Sequence, residues 1–171
     1  MARTIAKLMR VLLDTNVVLD YLLDREPFAE AAAGVWEAHR QGRIEAFISA
    51  ITPINIFYIA RKLKGVDSAL AVTRALIAEF KIITLSEDIL KHAINIHIKD
   101  YEDAVQISSA ILSNLDAVVT RNLKDYSASQ LPAYAPDYLW KSCRERAART
   151  ADSGANKPVC WHGEASSGCV G

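Results

Sequence analysis

Four polar residues stand where the chain turns from apolar to polar, in a pattern that suits hydrolytic chemistry. Asp14 ends the apolar run Val11-Leu12-Leu13, and Asp103 opens the segment 101–114. Asn122 and Asp125 follow the run 116–120. Carboxylates brought to one sheet edge repel each other unless they are protonated or bridged by a cation. Hard oxygen donors with neighbouring waters suit Mg2+ or Mn2+. Such an ion lowers the pKa of bound water and stabilises charge on a phosphate under attack. Each residue also has a plain structural reading. An Asp after a strand often caps a helix, and an acid in a first helical turn gains about 0.3–1 kcal/mol from the helix dipole. Asp125 alone reads as a turn residue. Spacing by itself leaves the reaction open.

An α/β frame must position these groups. Short apolar strands are predicted at 11–13, 46–48, 81–85 and 116–120. Between them run helices: one after the polar turn Asp14-Thr15-Asn16 through Leu23, one from Pro27 to about Gly42, and one from the Thr52-Pro53 start signal to Gly65. The last of these carries Ile56, Phe57, Ile59, Ala60 and Leu63 inward. Further helices cover 68–79, Ser86 to Ile96, and Asp100 to Asn114, with Ser86 and Asp100 as caps. Strands separated by helices pair in parallel through crossovers. The predicted fold class is therefore α/β, a three-layer α/β/α sandwich around a central parallel sheet of four to five strands. Ligands of such sheets bind beyond the carboxyl ends of the strands, where Asp14 sits. At about 100° per residue, Asp103 shares the edge of an apolar face with Ile107 and Ala110. Glu102 falls with Gln106 and Ser109 on the polar side. Asp103 thus reads as aimed inward and Glu102 as solvated.

Composition sets the outer limits. Of 171 residues, 51% are hydrophobic and 23% charged, enough for one domain with a core and too apolar for disorder to dominate. Twenty basic residues balance twenty acidic ones, so no global field advertises a nucleic-acid partner; a local patch is sufficient for one. No apolar run approaches the roughly 20 residues of a membrane span. Residues 1–9 read as a short leader, with Met9 an alternative start, and 10–149 as the domain. Three late cysteines argue for a reducing, cytoplasmic setting. Residues 150–171 read as a disordered tail, in which Cys160, His162 and Cys169 are too few for a closed zinc site.

Four motifs, in order and at these separations, resemble the PIN domain family: LLDTNVVLDYLL at 12–23, SAITPINIFYIARK at 49–62, DYEDAVQISSAI at 100–111 and DAVVTRNLKDY at 116–126. The resemblance covers about 10–140. It implies a metal-dependent endoribonuclease using an acidic cluster with Mg2+ or Mn2+, in bacteria commonly the VapC-like toxin of a type II toxin–antitoxin pair. By position, Asp14 and Asp103 match family acids that bind metal, Asn16 the polar support of the first acid, and Thr120 the small hydroxyl residue after the fourth strand. Two positions depart from the pattern. Asn55 stands where the second acid is usually Glu; its carbonyl can still bind, but it brings no charge and no base. Asn122 stands at the fourth acid, with Asp125 one turn further on as a replacement. The resemblance further implies RNA as substrate, its backbone held by Arg121. The basic run 141–149 could serve similarly, or simply be a solvated helix face. A cognate antitoxin is expected. The apolar content of 53–64 and 68–79 exceeds what one core buries, so a homodimer, or an antitoxin groove, is expected to use part of that surface. Asn55 and Asn122 keep a second reading open, a PIN module without catalysis that binds RNA or a protein. A phosphotransferase of the haloacid-dehalogenase type would need a second Asp where Asn16 stands.

Overall fold

The computed structural model describes residues 8–124, 126 and 130–153, the last five by their backbone. The leader before Leu8, Asp125, and the cysteines and histidine of the tail lie outside the described residues. In chain order the elements are β1 (Met9–Leu13), α1 (Thr15–Leu22), α2 (Ala29–Arg40), β2 (Ile44–Ser49), α3 (Ile51–Glu79) and β3 (Lys81–Ile83). They continue with α4 (Glu87–Asn95), α5 (Tyr101–Leu112), β4 (Ala117–Val119), β5 (Ala133–Tyr134) and α6 (Pro136–Ser153).

The sheet has the order β3-β2-β1-β4-β5, and every pairing is parallel. Five strands meet the expectation of four to five. β1 is central, with Val11 opposite both Ala46 and Ala117. Pleating sends alternate residues to opposite layers. Val11, Leu13, Ala46, Ile48, Ala117 and Val119 pack with Val18, Val35, Ile56, Leu76 and Leu139 of α1, α2, α3 and α6. Leu12, Phe47 and Val118 pack with Ile89, Val105, Ile107 and Ala110 of α4 and α5. Burial on both faces explains why these strands read as continuous apolar runs. Among the described residues no helix is long and apolar enough to cross a membrane.

Ser86 and Asp100 cap α4 and α5 as the sequence predicts. Other boundaries differ. α2 starts at Ala29, leaving Pro27 in the preceding turn. α3 starts at Ile51 with Ala50 as its cap, so Thr52 is already inside the helix. Its hydroxyl is drawn away from capping by the Thr15 hydroxyl, 3.2 Å distant. Gly65, with φ 83°, breaks α3 where a stop is predicted, and helix resumes at once instead of at Ser68. Glycine adopts that dihedral without steric cost. Of the residues predicted to point inward, Ile56 is buried and Phe57, Ile59 and Ala60 half-buried, but Leu63 is 60% exposed. α6 runs to Ser153, three residues beyond Thr150.

Gly34 of α2 shows what holds α6 in place. A Cβ at this position would fall far inside van der Waals contact with the indole of Trp140. Gly34→Ala is therefore expected to push Trp140 off α2. Overpacking of this kind costs about 1–3 kcal/mol, of which alanine's helix propensity returns up to about 1 kcal/mol. Thermal denaturation should show a midpoint lowered by a few degrees; an unchanged midpoint would mean that Trp140 repacks freely.

Candidate active site

The strand order reverses at β1, where β2 lies on one side and β4 on the other. That is where an open parallel sheet forms its binding crevice. Asp14 follows the last residue of β1 and is 1% exposed. As the cap of α1, it accepts the backbone N–H of Asn16 at 3.3 Å. Its Oδ2 accepts from Thr120 Oγ1 at 2.8 Å, and its Oδ1 accepts from Gln106 Nε2 at 3.2 Å. Three donors offset the cost of burying the carboxylate. They are fixed in turn: Gln106 Oε1 accepts the Thr15 N–H at 3.2 Å, and Thr120 Oγ1 accepts the Asn122 N–H at 3.0 Å.

Beside these strand ends lies an open cleft of about 540 Å³, lined by Thr15, Asn16, Asn55, Tyr58, Asp100, Glu102, Asp103 and Asn122 among others. Four residues singled out in the sequence, Asn16, Asn55, Asp103 and Asn122, thus share one cleft. Asp14 and Thr120 sit at the strand ends adjoining it. Asp103 is half-buried. Asp125 lies outside the described residues.

Helix α5 corrects the sequence reading at Gln106 and extends it at its first turn. Gln106, placed on the polar side, is 1% exposed, because that side meets the start of α1. Glu102 is exposed, as its reading as a solvated charge expects; it also lines the cleft and accepts from Asn55 Nδ2 at 2.6 Å. Asp100, read only as a cap, lines it too.

Arg121 is placed differently from the RNA-holding residue the sequence suggests. Its Nε lies 3.0 Å from Oδ2 of Asp20, and its guanidinium stacks 4.2 Å from the centre of the Phe28 ring. Arg25 stands 4.0 Å from the other Asp20 oxygen. Burial raises the Asp20 pKa, Arg121 and then Arg25 pull it back, and the Asp14 charge adds a small upward push. Asp20 had no local signal in the sequence, since its partner follows a distant strand. Tyr126, 2% exposed, lies close enough for the charges of Asp14 and Asp103 to add to burial in raising its phenol far above the ordinary range. The Thr120 hydroxyl opposes that shift, but its geometry falls short of a hydrogen bond.

The donors around the cleft are carboxylates and side-chain amides. Among the described residues no three His, Cys, Asp or Glu side chains group closely enough to enclose an ion. Oxygen-only donors in an open cleft fit a hard cation that keeps several of its waters, as Mg2+ does. A soft thiolate or closed zinc site is not what they form.

Comparison with known proteins follows the same outline. A family model described as PIN domain matches residues 10–124. Among solved structures, a toxin–antitoxin complex from Klebsiella pneumoniae is 27% identical, with 74% of this chain and 97% of that chain covered and a TM-score of 0.57. VapBC2 from Rickettsia felis, bound to a DNA fragment from its promoter, is 18% identical over 74% and 98%, with a TM-score of 0.61. VapC20 from Mycobacterium tuberculosis, described as a toxin cleaving the sarcin–ricin loop, is 11% identical over 69% and 94%, with a TM-score of 0.57. Among curated proteins no sequence match is found. With the family pattern running from β1 to the loop after β4, and the parallel sheet and strand-end cleft beside it, the chain belongs to the PIN domain family.

Proposed function

We propose that the protein is a metal-dependent endoribonuclease and the toxin of a toxin–antitoxin pair. The observation that carries this reading is Asp14, a buried carboxylate held by three donors at the carboxyl end of the central strand, beside a cleft that Asp103 lines. Family membership and the toxin–antitoxin complexes of similar fold support it.

In this reading Asp14 and Asp103 hold Mg2+ or Mn2+, with Asp125 as a further acid of the site. A bound ion of this kind supplies an activated water and stabilises charge on the phosphate oxygens. The chain's own part is orientation. Thr120 and Gln106 fix the Asp14 oxygens. Asn16, exposed on the cleft, offers its amide to water and phosphate, and Asn55 keeps Glu102 in the cleft wall. Tyr58, 62% exposed on the same wall, gives a face on which an unpaired RNA base can stack.

The partner surface follows from α3. Ile54, Leu63, Val66, Leu70 and Ile77 are all exposed, and an apolar groove runs between α1 and α3, with Leu19, Leu22, Ile56 and Ile59 among its lining. Exposed apolar surface on this scale marks an interaction site. We assign it to an antitoxin segment and to a second copy of the chain.

The test uses purified protein freed of any partner, a mixed RNA pool, and Mg2+, Mn2+ or a chelator. Cleavage is expected with either metal and none with the chelator. Folded protein that binds the RNA but cuts it with neither metal would overturn the nuclease in favour of a binding module.

A further inference from the structure

We infer that Gln106 is a positioning residue of this site: its amide orients Asp14 and seats α5 against it, which sets where Asp103 stands relative to Asp14. The inference rests on the nuclease reading and deepens it.

Asp14 follows a strand and Asp103 belongs to a helix, so their separation depends on how α5 sits on the end of β1. Much of that contact is apolar. Ile107 and Ala110 pack with Leu12 and Val118, and burial of this kind is non-directional. It decides which face of α5 lies down, but not the height at which the helix stops. The helix also rises out of the core at its start, where Tyr101 and Glu102 are exposed and Asp103 is half-buried.

Gln106 supplies the directional contact. Its Nε2 donates to Asp14 Oδ1 and its Oε1 accepts the Thr15 N–H, both at 3.2 Å. A carboxylate only accepts and a backbone N–H only donates, so the amide is held in one orientation. Both Asp14 and Gln106 are 1% exposed, which keeps water from competing. Asp103 lies three residues before Gln106 on α5, and side chains so spaced are neighbours, with Cβ atoms about 5–6 Å apart. Holding Gln106 on Asp14 therefore holds Asp103 in register with it. The belt continues to a third helix, since the Thr15 hydroxyl lies 3.2 Å from that of Thr52 on α3, and both are buried. A buried polar network whose members are satisfied stiffens the elements it joins.

Gln106 also decides which oxygen of Asp14 stays open. An ionised carboxylate offers about four acceptor sites. Among the described residues Oδ1 accepts from Asn16 and Gln106, whereas Oδ2 accepts from Thr120 alone. The open site is thus on Oδ2. Without Gln106, Oδ1 keeps only the 3.3 Å capping bond from Asn16, and the carboxylate is free to turn.

The test is calorimetric titration of the full chain with Mn2+ alone, with RNA cleavage kinetics and thermal denaturation beside it. Gln106→Met fills similar space without the amide. It is expected to weaken Mn2+ binding by about 10–100-fold, the loss usual for removing a hydrogen-bond partner of a metal ligand. In excess Mn2+ it should lower kcat and leave the KM for RNA unchanged. Gln106→Asn keeps the amide but is one methylene too short to reach both Asp14 and the Thr15 N–H. It is expected to behave like Gln106→Met, and it carries the test if the methionine variant does not fold. Gly34→Ala, which disturbs α2 and α6 instead, is the control, with a lowered melting midpoint and wild-type Mn2+ affinity. Wild-type affinity and kcat in folded Gln106→Met, full recovery in Gln106→Asn, or an equal loss of affinity in Gly34→Ala would overturn the inference and leave the nuclease standing. A folded wild-type chain that binds no Mn2+ and cuts no RNA would overturn both.

Discussion

Replacing Asp14 by Asn is expected to slow RNA cleavage by roughly 1,000-fold or more while the protein still folds. The substitution keeps the shape of the side chain and removes its charge. At 1.4 kcal/mol for each factor of ten, that loss corresponds to about 4 kcal/mol, within the several kcal/mol that a metal ion contributes to charge stabilisation. The hydrogen bonds add a smaller cost. All three groups around Asp14 are donors, so an amide must turn its NH2 toward one of them. Thr120 is the most adaptable, because its hydroxyl can rotate, although its oxygen already accepts from Asn122. The resulting mismatch costs on the order of 1–3 kcal/mol, less than the 5–15 kcal/mol that holds a typical domain together. Cleavage rates in excess Mn2+ beside thermal denaturation separate the two effects. Retained cleavage in the variant would remove Asp14 from the reaction and assign its three donors to structure alone.

The second large effect concerns Arg121, whose replacement by Ala is expected to destabilise the fold by about 3 kcal/mol. Removing one partner of a buried ion pair leaves the other uncompensated, at a cost of about 3–5 kcal/mol. The lower end applies because Arg25 remains 4.0 Å from Asp20 and the Arg121 side chain is partly exposed. The sign of the pH dependence is fixed. The Asp20 pKa is already raised by burial, with Arg121 the largest opposing influence, and losing Arg121 raises it further. A carboxyl whose folded pKa exceeds its unfolded value favours folding below the unfolded pKa and loses that contribution as pH rises through the folded one. The deficit of Arg121→Ala relative to wild type should therefore be largest at neutral pH and shrink as pH falls toward the usual carboxylate range. Urea denaturation at neutral and mildly acidic pH checks this. Unchanged stability with weaker, less salt-dependent RNA binding would return Arg121 to the phosphate-holding role.

The α/β frame was legible because buried parallel strands are apolar on both faces and end abruptly, as at Asp14 and Thr120. Asp14 and Asp103 were legible for the same reason: an acid at the edge of an apolar segment invites a question. Glu102 and Gln106 were not. A helical wheel separates polar from apolar, but it does not separate solvent from a polar site, and α5 from Ala104 to Ala110 is buried all round. Thr52 misled because its hydroxyl has a better use against Thr15 than as a cap. β5, two residues long, has no period to detect. Arg121 announced a positive charge but not its direction, which depends on Asp20 across the fold.

The bond between Thr120 and Asp14 also dictates when this arrangement can first form. The two residues are 106 positions apart, and β1 gains its β4 neighbour only once the chain has passed Val119. At about 5–20 residues per second of synthesis, roughly 5–20 s elapse between making the acid and making the hydroxyl that aims it. Pairing strands so distant in sequence is itself slow, because the loop-closure entropy must be met before the contacts form. The Asp14 arrangement thus cannot form before residue 120 is made, and until then a nascent chain on the ribosome carries Asp14 without the hydroxyl that aims it.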